Sequence, residues 1–121
     1  MKRHIQIGLS LLVTAVLWIG CGASHATKDG AVVQVREDEY HINMPTSFQS
    51  GVVTFHVLNT GEHHHSFKIK GNGVEAQLSE ALPPLMEGSL TVTLPPGQYD
   101  VYCPMLGHPD LGMKLEVTAT P

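Results

Sequence analysis

The sequence predicts an all-β domain, a sandwich of two sheets built from about seven short strands. Three observations point there. Apolar and polar residues alternate in short runs rich in Val, Thr, Phe and Tyr, the pattern of strands buried on one face. Turn signals punctuate the runs: Met44-Pro45, Ser50-Gly51, Thr60-Gly61, Gly71-Asn72-Gly73 and Pro95-Pro96-Gly97. About 95 of the 121 residues follow the first 26, enough for one small core and no second domain.

Residues 1–26 have the layout of a secretory signal. Lys2 and Arg3 open it, an apolar run from Ile5 to Ile19 follows, and "GCGASHA" closes it with small residues. The run is shorter than the roughly 18 residues of a spanning helix. Two processing routes are open. Ser24-His25-Ala26 is a small-x-small cleavage site. Alternatively "LWIGC" is similar to a bacterial lipoprotein signal in which Cys21 becomes the lipidated first residue, although Trp18 stands where an aliphatic residue is usual. Either route implies export, with a membrane contact only through a lipid on Cys21. Residues 27–30 read as a linker, and the domain is expected over residues 31–121.

Within it, strands are expected at "AVVQVRE" (31–37), "YHINM" (40–44), "GVVTFHVLN" (51–59), "HSFKIK" (65–70), "SLTVTLP" (89–95), "QYDVYC" (98–103) and "MKLEVTA" (113–119). "VEAQLSEALPPLMEG" (74–88) breaks the pattern and has room for a brief helical turn before its prolines stop it. From Thr27 onward there are five Lys or Arg against eleven Asp or Glu, a net charge near −6. That argues against nucleic acid and anionic membrane surfaces as partners.

Parity along the strands singles out a site. Tyr99, Val101 and Cys103 share one face of their strand; Met113, Leu115 and Val117 share one face of the next; His65, Phe67 and Ile69 share one face of a third. Each apolar face ends in a potential metal ligand at a strand terminus. Antiparallel pairing across the short 103–113 connection then puts Cys103 and Met113 at one pole.

Cys103 has no partner thiol once Cys21 is removed or lipidated. Exported compartments oxidise thiols in pairs, so a lone cysteine there is either a small buried hydrophobe or a functional thiol. One thiolate, two imidazoles and one thioether form the ligand set of blue copper electron-transfer centres. Cys-x4-His-x4-Met, Cys103 to Met113, brings three of these from one loop. The competing reading of "HHH" (63–65) is an exposed metal-scavenging tract. Parity with Phe67 and Ile69 separates His65 from it and leaves His63 and His64 exposed, along with His41 and His56. Met105 competes with Met113 as the thioether but follows Cys103 too closely. Gly112 lets the chain turn ahead of Met113.

In these residues the chain resembles the cupredoxin family, the small blue copper proteins. The resemblance rests on "NTGEHHHSFKI" (59–69) and "LPPGQYDVYCPMLGHPDLGM" (94–113), with the strand after it. The four-residue spacers around the loop histidine are similar to those of rusticyanin-type and sulfocyanin-type members. The resemblance implies a Greek-key β-sandwich and one copper ion cycling between Cu(II) and Cu(I). Its equatorial ligands would be His65, Cys103 and His108, with Met113 axial. It further implies that the His64 backbone carbonyl approaches the metal and that Ser66 braces the cysteine loop, where many members have Asn. Met105, Leu106, Pro109 and Leu111, with Pro104, would form an apolar docking patch around His108. The implied activity is electron transfer by a monomer with transient redox partners such as cytochromes or a terminal oxidase.

Two other functions compete. One is a periplasmic copper chaperone or sensor that adds His63, His64, Met86 and Met105 as ligands. The other is a cupredoxin-like accessory module in metal uptake. Copper enzymes are disfavoured. Tyr102 and Pro104 flank the cysteine where multicopper oxidases have histidines, and a binuclear centre needs a second loop cysteine.

Overall fold

The computed structural model describes residues 30–121; the expected signal, Cys21 and the linker before Gly30 lie outside the described residues. Nine strands form: β1 (Ala31–Asp38), β2 (His41–Asn43), β3 (Ser47–Gln49), β4 (Gly51–Asn59), β5 (Lys68–Gly71), β6 (Val74–Gln77), β7 (Glu87–Leu94), β8 (Gly97–Tyr102) and β9 (Lys114–Thr120). They make two sheets, ordered β2-β1-β4-β7 and β3-β9-β8-β5-β6. Both are mixed: β1 runs parallel to β4 and β3 parallel to β9, while the other pairs are antiparallel.

Alternation decides which face each strand buries. Val33 and Val35 of β1 and Val53, Phe55 and Val57 of β4 point into the core from one sheet. Ile69, Tyr99, Val101, Val117 and Ala119 point in from the other. Phe67 fills the space between the sheets, its ring centroid 5.0 Å from that of Phe55. Phe48 meets Phe55 edge-on at 5.5 Å. Each such aromatic pair adds about 1 kcal/mol to the burial itself.

Two expectations change. The sequence pointed to about seven strands, and the chain makes two more, β3 and β6. β6 falls in the segment read as a break with a helical turn. Glu75, Ala76 and Gln77 have better helix than strand propensity. The tight turn at Asn72-Gly73, both with positive φ (47° and 77°), overrides that preference by folding β6 back onto β5. β3 is a three-residue edge strand, too short for alternation to register. The strand expected from His65 starts only at Lys68. His65 makes an isolated bridge to Leu82 instead, and Ser66 is buried beside it.

The topology gathers several chain segments at one pole. The C-terminal ends of β1, β4 and β8 meet there with the starts of β5 and β9. Glu37 sits on the inward face of β1 just inside this pole, opposite Ile42 of β2 and Asn59 of β4. Its side chain is fully buried and neither carboxyl oxygen has a hydrogen-bond partner. Burial pushes its pKa up from 4.5 to about 8.

The sign of the stability effect follows. Between these two values the unfolded chain ionises Glu37 while the folded chain keeps it neutral. The contribution of Glu37 to folding therefore falls as pH rises through that window. Urea denaturation of metal-free wild type and Glu37→Gln at pH 5 and pH 8 measures it. Wild type is expected to lose roughly 3 to 4 kcal/mol relative to the variant, because the pH 5 to pH 8 window covers just under three units at about 1.4 kcal/mol each. A pH-independent difference contradicts the account.

Candidate metal centre

His65 is presented by the turn at residues 59–65, and Asn59 builds that turn. Its Oδ1 accepts the Gly61 N–H at 2.9 Å. Its Nδ2 donates to the carbonyls of His63 at 2.7 Å and Leu82 at 2.8 Å. Gly61 is required because a Cβ there would overlap the Glu39 carboxylate. That carboxylate accepts the main-chain N–H groups of Glu62 (2.9 and 3.0 Å) and His63 (2.8 Å). It then reaches His65 Nε2 at 2.9 Å. The Asn-x-Gly motif and Glu39 thus form one hydrogen-bonded unit that delivers the His65 ring to the pole, fully buried.

The other donors come from the 103–113 loop. Cys103 N–H donates to the Met113 carbonyl at 3.0 Å, closing the loop where β8 and β9 meet. Inside it, His108 N–H donates to Met105 O at 3.0 Å and Met113 N–H to His108 O at 3.1 Å. A 3-10 turn, Pro109–Leu111, follows His108 and is capped by Gly112. Cys103 and Met113 are both fully buried. The Tyr40 ring meets His108 edge-on at 5.3 Å.

The three donor atoms converge. His65 Nδ1 lies 3.3 Å from His108 Nδ1, and Cys103 Sγ lies 3.5 Å from His108 Nδ1. All three fall within 4.8 Å of one another. Ligands about 2.0–2.3 Å from a central ion, as nitrogen and sulfur are around zinc, would form a triangle with edges of roughly 3.5 Å. The donor set therefore fits one ion, and a mixed thiolate and imidazole set suits copper.

The protonation pattern fits as well. The main-chain N–H groups of Glu62 and His63, followed by His65, hold the Glu39 carboxyl down at about 2. It is an anion at neutral pH and accepts a hydrogen bond from the protonated Nε2 of His65, which leaves the Nδ1 lone pair facing the site. Burial pushes the Cys103 thiol up, while the N–H groups of Ser66 and Met105 pull it back down. Burial, with His65 and His63 nearby, lowers the His108 pKa and favours a neutral imidazole.

The structure brings His65, Cys103, His108 and Met113 to one pole. His63 and His64 are exposed, as are His41 and His56. Ser66 contacts the site through its main chain, its N–H 3.4 Å from Cys103 Sγ. Leu106 and Leu111 are exposed, while Met105 and Pro109 are half-buried beside His108. Glu37, Glu39 and Tyr40 were missed in the sequence. A signal was present for Glu37, an acidic residue at the inward parity of β1 directly after Val33 and Val35.

Comparison with solved structures identifies the fold. The dithionite-reduced auracyanin of the photosynthetic bacterium Roseiflexus castenholzii aligns with TM-score 0.64 and 21% identity, over 76% of this chain and all of that one. Auracyanin B aligns with TM-score 0.63 and 23% identity, over 75% of this chain and 89% of that one. Auracyanin A, a blue copper protein of Chloroflexus aurantiacus, aligns with TM-score 0.60 and 16% identity, over 75% of this chain and 99% of that one. No known family profile and no curated protein sequence matches the chain. The chain has the cupredoxin fold.

The Glu39 contacts predict acid behaviour. A carboxyl held near 2 rather than 4.5 contributes stability that is present above pH 4.5 and is lost as pH falls toward 2. Glu39→Gln should be less stable than wild type at pH 6, with the gap closing by pH 2. Denaturant titrations at the two pH values check this, and a gap that persists at pH 2 contradicts it.

Proposed function

We propose that the protein is an exported one-electron carrier holding one copper ion between His65, Cys103, His108 and Met113. The observation that carries this reading is the convergence of two imidazole nitrogens and one thiol sulfur, buried at one pole of a cupredoxin fold. Copper bound there supplies one-electron chemistry between Cu(II) and Cu(I). Met113 would add the thioether donor and the His64 main-chain carbonyl a further oxygen toward the ion.

The residues present do what such a centre needs. Cys103 gives up its proton on binding, so affinity rises with pH. The N–H groups of Ser66 and Met105 steady the resulting thiolate. Glu39 fixes one imidazole and the edge of Tyr40 packs against the other. The hydrogen-bonded loop keeps the donors in place through a change of charge and limits rearrangement during electron transfer. His108 is the ligand nearest the surface. Leu106, fully exposed, Leu111, Pro109 and Met105 surround it, a modest apolar face suited to the small, transient encounters of redox partners. Cytochromes or a terminal oxidase are the partner class, met by a monomer.

A fixed carrier fits better than a copper chaperone. Cys103 and His65 are buried, and passing an ion on requires accessible ligands. Of the additional chaperone ligands, His63, His64 and Met86 are exposed and Met105 is half-buried, and neither histidine belongs to the donor triangle. Export through a signal over residues 1–26, to the periplasm or to a lipid anchor at Cys21, belongs to the same reading.

Two outcomes test it. The copper-loaded, oxidised protein is expected to absorb visible light intensely through thiolate-to-copper charge transfer, and Cys103→Ala to lose that band entirely. A band retained in the variant rejects the assignment. Leu106→Glu should leave the band unchanged and slow electron exchange with a cytochrome by about tenfold in stopped-flow mixing, from one buried charge placed in the contact. Unchanged kinetics would remove the patch.

A further inference from the structure

We propose that Glu37 is a redox-linked proton site. Its carboxyl takes up one proton from water when the centre gains one electron, and returns it when the electron leaves. The inference rests on the copper reading above and goes beyond it, because it makes the carrier responsive to pH through a residue that is not a ligand.

The placement comes from strand register. Glu37 occupies the inward face of β1 two residues before Glu39, the residue that holds His65 Nε2. On β4 it pairs with Asn59, whose Nδ2 shares the Leu82 carbonyl with the His65 N–H, so Glu37 lies beside the segment that carries His65. It is fully buried and its oxygens have no partners. A buried carboxyl without partners strongly disfavours its own charge. Both Glu37 and Cys103 are fully buried in the same core, with no water layer between the sheets to screen one from the other.

No fixed charge nearby removes this sensitivity. On β2, Ile42 faces Glu37, while the ion pair of His41 with Asp38 lies outside, its side chains 80% and 55% exposed. On β4, Asn59 faces Glu37 but spends its side chain on His63, Leu82 and Gly61. Glu39 is engaged with the 62–65 segment. Among the described residues the cations are elsewhere. Lys68 pairs with Glu75, and Arg36, Lys70 and Lys114 are exposed. The charge of the Cys103 centre is therefore the variable that Glu37 responds to.

The balance is simple. One electron from a one-electron reductant and one proton from water convert the oxidised centre plus carboxylate into the reduced centre plus carboxylic acid. Only an O–H bond at Glu37 forms or breaks. An added negative charge several Å away in a low-dielectric core strengthens proton binding by at least about tenfold. By linkage the proton strengthens electron binding by the same factor.

The test is a potentiometric titration of the copper-loaded full protein from pH 5 to pH 9, read by the visible band with ascorbate as reductant. The wild-type potential should fall as pH rises within one window, and Glu37→Gln should be flat there. A flat wild-type curve, or a slope that survives in Glu37→Gln and so belongs to another group such as His108, overturns the proposal. Infrared spectroscopy of wild type alone provides a second reading. The metal-free protein at pH 7 should keep a protonated carboxyl band, and reduction of the copper form should increase it. Absence of that band in the metal-free protein also overturns the proposal. A protein with no intense visible absorption rejects the copper reading and this inference together. An intensely coloured protein with a flat potential rejects the inference alone.

Discussion

The hydrogen bond from His65 Nε2 to the Glu39 carboxylate (2.9 Å) is the constraint on which the site depends. Glu39 follows β1 in one sheet, and His65 leads into β5 in the other. One contact thus ties the sheets together at the pole where the donors meet. It also sets the tautomer that turns Nδ1 toward Cys103 and His108. The carboxylate holds this place because the Glu62 and His63 main chain binds it, and Gly61 leaves space for it. Asn59 in turn shapes the segment that carries those N–H groups.

This dependence explains what was legible in the sequence. Short-range alternation marked β1, β4, β7, β8 and β9, since each buries one face in a strict period of two. The loop donors were legible because Cys103, His108 and Met113 fall in one stretch and the strands on either side fix their faces. Contacts between distant segments were less visible. Glu39 lies 26 residues before His65, and only the finished parallel pairing of β1 with β4 brings them together. β6 was hidden because its composition favours helix and its hairpin partner decides otherwise. Ser66 was expected to brace the cysteine loop, and its contact with Cys103 runs through the main chain, which carries no side-chain signature.

Glu37 in β1 and Glu39 just after it illustrate opposite uses of the same side chain. Glu39, half-buried and surrounded by donors, is among the most acidic groups of the domain. Glu37, two residues earlier and without a partner, is among the least. Burying Glu37 without a partner costs folding free energy, whereas Val33 and Val35 fill the other inward positions of β1 with apolar side chains.

The central claim is that His65 presents Nδ1 to a metal while Glu39 retains its Nε2 proton. Nitrogen-15 magnetic resonance of the histidine rings in the diamagnetic Cu(I) form measures this directly. The account predicts metal-bound Nδ1 signals for His65 and His108, with the His65 Nε2 proton slow to exchange. A metal-bound Nε2 at His65, or His65 signals unchanged by copper, would contradict it.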